Sequence, residues 1–370
     1  MGGWAQDIGY ALRRLRGTPL FTIGAVVIVA VAIGANTAMF ALVHAALFEP
    51  PPYPELERVV HVYQDSDEGE PSSSSYPAYR DMLSTTDVFA AVGATSPDGA
   101  NLTVGDGTQS VAIEFTTSTL LPALGLTPHR GRWFDARMDE VGAGHFAVVS
   151  HATWERRFGA DPGLIGRTIE LNGQPVEVIG VGPRDFNGVF GFILTDFWLS
   201  ISSTPIGGDF RVANLERRQD HWYDVRARLA EGVTVERAQE AMDALAFRLA
   251  EAYPELNEGR GITVFPAAEI RVHPTEDANI RAVAGAIMGI VGLVLLLAAT
   301  NLGSLLLVRG MARGPEIAVR RALGAGRGRV TGLFVWEGLL LSLFGGALGL
   351  LIAGRLVSMM TTLPGPVGGG

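Results

Sequence analysis

An α-helical membrane protein with three transmembrane helices and one large extracytoplasmic α+β domain is the fold class predicted by these 370 residues. Three long apolar runs carry almost no charge, which points to lipid as part of the solvent. Arginines crowd those runs mainly on one side. Between the first and second runs lie 233 residues, 49–281, of net acidic charge and enough to bury a core without disulfides or metals.

Residues 1–19 read as a cytoplasmic amphipathic segment. Trp4, Ile8, Ala11, Leu12 and Leu15 recur at helical spacing, with Gln6, Asp7, Arg13 and Arg14 on another face, which suits a helix in the inner leaflet. Residues 20–48 contain no Asp, Glu, Arg or Lys; about 20 residues at 1.5 Å rise cross the hydrocarbon core, so this run spans with length to spare. It begins late, is long for a signal peptide and leads into Pro50-Pro51-Pro52 rather than a small-residue cleavage site, so it is expected to be a retained anchor.

Within 49–281, Thr168 to Leu171, the turn Asn172-Gly173 and a strand running through Val176 and Val178 to Val181 predict a hairpin. Tyr223, Val225, Ala227 and Leu229 alternate with Asp224, Arg226 and Arg228, which predicts a half-buried strand with its charges outward. The next helix carries Val235, Ala238, Met242, Leu245, Leu249 and Ala252 as one stripe behind a Thr234 cap. Ser150 and Gly159 bracket a short helix that pairs Trp154 with Phe158. Residues 65–75, acidic and serine-rich, read as an exposed loop.

Residues 282–308 form the second span, 309–329 a cytoplasmic loop, 330–357 the third span and 358–370 an extracytoplasmic tail. The loop carries Arg309, Arg313, Arg320, Arg321, Arg327 and Arg329 against Glu316, while 49–281 holds 19 arginines and 35 acids, a net charge of −16. Both signals put the N-terminus inside and the large domain outside. Gly314-Pro315 opens a short helix in the loop and Gly324 stops it; it reads either as a positive-inside connection or as a docking helix for a cytoplasmic partner. Gly285 and Gly289 lie four apart, as do Gly345 and Gly349, a spacing that lets helix backbones approach closely in lipid. Asn301 adds a polar group to the second span. Glu337 sits roughly 10 Å inside the third run and is expected to pair with Arg329 or a neighbour near the interface.

Several functions are excluded or disfavoured. The sequence has no cysteine, so thiol catalysis and Cys-ligated zinc drop out. All 29 basic residues are arginine, which removes the Walker A lysine and with it ATP hydrolysis by such a loop. His129, His145, His151, His221 and His273 show no metal-ligand spacing, and no basic patch suits nucleic acid, so no cofactor, metal or enzyme activity is expected.

Three stretches carry a family resemblance. Asp7-Ile8-Gly9-Tyr10-Ala11-Leu12-Arg13 with Gly34-Ala35-Asn36-Thr37-Ala38-Met39-Phe40, then Val148-Val149-Ser150-His151-Ala152-Thr153-Trp154, and finally Glu316-Ile317-Ala318-Val319-Arg320-Arg321-Ala322-Leu323-Gly324 resemble MacB/FtsX-type ABC permeases of the acidobacterial orphan type. The resemblance implies a MacB-like periplasmic core domain, here with an insert near 120–215. It also implies a separate cytoplasmic ABC ATPase and a homodimer or second permease half in a bacterial inner membrane. ATPase motion would be relayed outward for export or mechanotransmission, and Glu316, Ile317, Arg320, Arg321 and Leu323 would be the docking positions on the coupling helix. A periplasmic partner and membrane lipid complete the expected partners. A membrane-tethered regulator or scaffold without transport is the competing function. The family's fourth span is missing after the third, so a fragment, one part of a split protein or a natural short form is also expected.

Overall fold

The computed structural model describes residues 3–47, 50–66, 68–105, 107–140, 142–190, 194–207, 215–270, 273–275, 277–311, 314, 322 and 327–360. They divide into two compact units, one within Met1–Phe48 and Ile280–Leu363 and the other within Glu49–Asn279.

The chain opens with helix α1 (Gly3–Arg16), breaks at Gly17-Thr18 and re-enters as α2 (Pro19–Leu47). Proline suits that first turn because its missing N–H would have had no partner there. The break is tied by the Thr22 hydroxyl, which donates to the Leu15 carbonyl at 2.8 Å. Ala11 and Leu15 of the amphipathic stripe are buried; the side chains of Trp4 and Ile8 lie outside the described residues.

The second unit begins with β1 (Val59–Asp65), β2 (Pro71–Ser72), α3 (Tyr76–Met82), β3 (Phe89–Val104), β4 (Gly107–Thr116) and α4 (Leu120–Leu124). It continues through β5 (Arg130–Gly131), β6 (Phe146–Val149), α5 (His151–Phe158), β7 (Thr168–Leu171), β8 (Gln174–Val181) and β9 (Phe197–Ser200). It closes with β10 (Asp224–Leu229), α6 (Val235–Ala252), α7 (Pro254–Asn257) and β11 (Ile262–Pro266). One mixed sheet runs β11-β1-β10-β3-β4-β9-β6-β8-β5, with β2 on β1 and β7 pairing β3 and β8. The parallel β4–β9 ladder, Ile113 opposite Phe197, makes the strands from residues 130–200 an extension of the same sheet.

Local signals explain these elements. Asn172 and Gly173 both adopt positive φ, 49° and 76°, and Leu171 pairs with Gln174 across the tight turn. Ser150 accepts from the Thr153 N–H at 3.3 Å, and Gly159 ends α5 at φ 60°. Thr234 caps α6, whose Ala238, Met242, Leu245 and Leu249 are buried in a core shared with Val60, Val62, Val225, Ala227 and Leu229. Burying each larger side chain contributes roughly 1.5–3 kcal/mol. The ends of that stripe lie outside the core: Val235 is half-buried and Ala252 exposed.

Two expectations are overturned. β10 is buried on both faces, so Asp224, Arg226 and Arg228 do not face water. Alternation cannot distinguish a wet face from a second packed one, and here Tyr53, Val59, Leu120 and Trp198 form a second apolar cluster in the domain. Residues 65–75 are not simply an exposed loop: Asp65 ends β1, Pro71–Ser72 pairs with it, and Ser74 and Ser75 are buried, Ser75 capping α3.

The chain returns to the first unit as α8 (Asp277–Met311) and ends, among the described residues, with α9 (Arg327–Met360). With α2, these make three helices long and apolar enough to cross a membrane.

Candidate functional site

One arginine gathers the three long helices of the first unit. The guanidinium of Arg309, in the last turn of α8, lies 2.9 Å from the Glu337 carboxylate of α9. It also donates to the Thr18 hydroxyl between α1 and α2, and sits 4.2 Å from the centre of the Phe21 ring of α2. Glu337 is 2% exposed, so its carboxylate is held by protein rather than water. A buried pair of this kind resists separation, because removing one member leaves an uncompensated charge. Around it, Leu15, Ala25 and Leu341 form a small core with Phe21, Val26, Leu302, Leu306 and Leu340. Glu337 was expected to pair with Arg329 or a neighbour near the interface; Arg309 is such a neighbour, and the side chain of Arg329 lies outside the described residues.

Two of these helices, α2 and α9, meet along a glycine seam. A Cβ on Gly345 would come within 2.6 Å of the Val29 side chain, and one on Gly349 within 2.8 Å of the Ala30 carbonyl. Backbone approach this close suits association in lipid, where packing replaces the hydrophobic driving force. Gly285 and Gly289 behave differently. Among the described residues a Cβ on either would meet nothing within 4 Å, so this pair packs no described helix, and α8 is exposed over most of its length. Asn301 is exposed as well, and its neighbour Thr300 turns its hydroxyl back onto the Leu296 carbonyl at 2.8 Å.

The docking positions Glu316, Ile317, Arg320, Arg321 and Leu323 lie outside the described residues. Sequence reasoning found Glu337, Gly345 and Gly349 but missed Arg309, Thr18, Phe21 and Gly34. Arg309 is the first charge after an apolar run, so a carboxylate two turns into the next run was the signal available for it.

In the second unit two buried polar groups organise the sheet. Glu114 of β4 is fully buried and accepts from the Thr195 hydroxyl at 2.5 Å, the Val189 N–H and Trp198 Nε1 at 3.2 Å each, and the Thr95 hydroxyl at 3.2 Å. Burial raises its pKa, and the four donors hold it back. On β1, His61 lies directly opposite Arg226 of β10 and is 4% exposed. Burial first, then Arg226 and His273, push its pKa well below the usual value. Asp224 sits 3.9 Å from Arg226; burial raises its carboxyl pKa, against the pull of Arg226 and His273.

Known proteins match both the outer domain and the later apolar helices. A family model described as MacB-like periplasmic core domain matches residues 22–245, and one described as FtsX-like permease C-terminal matches residues 288–365. An uncharacterised ABC transporter permease of Bacillus subtilis, YknZ, is 24% identical over 206 residues, 54% of this chain and 46% of that protein. The chain thus spans about half the length of that relative. The periplasmic region of MacB from Actinobacillus actinomycetemcomitans aligns at 12% identity and a TM-score of 0.40, covering 58% of this chain and 91% of that one. The extracellular domain of YknZ from Gram-positive bacteria aligns at 17% identity and a TM-score of 0.39, covering 56% and 99%.

Proposed function

Because this chain belongs to the MacB/FtsX-type ABC transporter permeases, we propose that it relays the ATP-driven motion of a separate cytoplasmic ATPase across the membrane to its large outer domain. The Arg309 cluster carries the reading. A push on the loop that follows α8 acts beside a guanidinium held by α9, by the α1–α2 turn and by Phe21, so the helices answer it together. From there the chain runs from α2 into β1 and from β11 into α8, and β1 and β11 are hydrogen-bonded neighbours. The arginine-rich flanks favour loop 309–329 on the cytoplasmic side of a bacterial inner membrane, with Glu316, Ile317, Arg320, Arg321 and Leu323 as the docking surface. Exposed Asn301, with Gly285 and Gly289 on the same open helix, favours a second permease copy or half beside α8, since a bare amide is costly in lipid. Export of a cargo and mechanical control of an envelope partner both use this relay.

The test is co-purification of the detergent-solubilised chain with purified ABC ATPases of its host, comparing wild type with Arg320→Glu/Arg321→Glu. Retention by wild type and loss from the variant is the expected result. An ATPase held equally by both, or by neither, would overturn the docking role.

A further inference from the structure

We propose that the groove between α1, α2 and α9 is a binding site for one anionic phospholipid, its acyl chain in the groove and its phosphate at the arginines that end α1. The groove has a volume of about 650 Å³, and Leu12, Ile23, Val27, Phe344 and Leu348 make its walls apolar, with Arg16 among the lining residues. From Pro19 to Val27 it follows nine residues of α2, eight helical rises or roughly 12 Å. That is close to half of a ~30 Å hydrocarbon core, the depth of one leaflet's acyl chains. α1 supplies the third wall and sets the site apart from an ordinary lipid-facing surface, because its buried Ala11 and Leu15 anchor it to the bundle.

Charge selects the headgroup. The last turn of α1 carries Arg13, Arg14 and Arg16 and no acid. Arg14 turns back onto Tyr10, its guanidinium 3.4 Å from the phenol oxygen, whereas Arg13 and Arg16 are exposed and have no carboxylate partner among the described residues. The carboxyl end of a helix carries only about half a negative charge, so the guanidinium groups outweigh it. An arginine near an anionic lipid surface contributes about fivefold in affinity. This inference does not depend on an ATPase or on a cargo.

The whole chain, reconstituted in nanodiscs with equal phosphatidylglycerol and phosphatidylcholine and then extracted in mild detergent, is examined by native mass spectrometry. Wild type is expected to retain one phosphatidylglycerol in preference to phosphatidylcholine. Arg13→Gln/Arg16→Gln should lower that preference at least tenfold, and Val27→Trp, which fills the groove, should abolish retention of both lipids. Leu348→Trp is the second groove-filling variant, should Val27→Trp fail to fold. Equal retention of the two lipids by wild type overturns the headgroup assignment. Undiminished phosphatidylglycerol on a folded groove-filling variant, or a lipid-free dimer with a second copy seated in the groove, overturns the site.

Discussion

Gly34 and Gly349 face each other backbone to backbone: a Cβ on Gly34 would come within 3.0 Å of the Gly349 carbonyl, and one on Gly349 within 3.2 Å of the Gly34 nitrogen. Each glycine is therefore the space the other helix occupies. Gly349→Val and Gly345→Val should destabilise the detergent-solubilised chain by roughly 1–3 kcal/mol through overpacking. Gly285→Val and Gly289→Val should leave the isolated chain's melting curve unchanged, because nothing among the described residues lies within contact of either position. Thermal unfolding of the four variants in one detergent checks the contrast, and equal losses in all four would refute the seam.

Arg309 and Glu337 supply the second prediction. Arg309→Gln and Glu337→Gln should each cost roughly 3 kcal/mol or more, the usual penalty for stripping one member from a buried ion pair. The exchange Arg309→Glu/Glu337→Arg should recover part of the loss. A double-mutant cycle read by unfolding in detergent measures the coupling; strictly additive losses would mean that the two charges act independently.

Glu114 is the keystone of the third. Glu114→Ala leaves the donors of Thr95, Val189, Thr195 and Trp198 without their shared acceptor, and about 1–3 kcal/mol is expected for an unsatisfied buried donor alone. Glu114→Gln keeps one acceptor oxygen and should lose less. Chemical denaturation of the chain, followed through tryptophan fluorescence because Trp198 is one of the donors, ranks the two.

His61 sets the pH dependence. Its folded pKa lies well below 6.5, so the unfolded chain binds the proton first as pH falls. His61 therefore contributes stability above about pH 6.5 that drains away as pH drops toward its folded value. Glu114, Asp224 and Asp139 have raised folded values and run the opposite way, losing stability as pH rises from the ordinary carboxylate range through their own folded pKa. Comparison of wild type with His61→Gln isolates the histidine: the variant should lose the acid-side slope below pH 6.5 that wild type shows. Identical slopes would assign the acid sensitivity elsewhere. Arg226 of β10, Tyr63 of β1 and His273 face or act on His61, and Asp224 sits beside Arg226.

Legibility in the sequence followed the range of each signal. The spans, the Asn172-Gly173 hairpin and the caps at Ser150 and Thr234 depend on neighbours within a few positions, and they could be read directly. Arg226 could not. Whether its face meets water depends on Tyr53 and His273, far away in the chain, and a period of two is silent about what covers each face. Glycine spacing had the same limit: Gly285/Gly289 and Gly345/Gly349 share one pattern, yet among the described residues only the second pair finds a helix. Arg309 looked like one more flanking charge because its partner lies across the loop.

The β1–β11 ladder has a mechanical polarity. Val60, at the end of β1 that continues from α2, pairs with Pro266, at the end of β11 that continues toward α8, so both chains leave the sheet at the same edge. Tension that draws those chains apart therefore falls on one hydrogen bond at a time, peeling the ladder from Val60–Pro266 toward Gln64–Ile262. Motion shared by both chains loads no single bond and displaces the pair of strands intact. The register therefore makes this ladder resist joint displacement with all its bonds and divergence with one at a time.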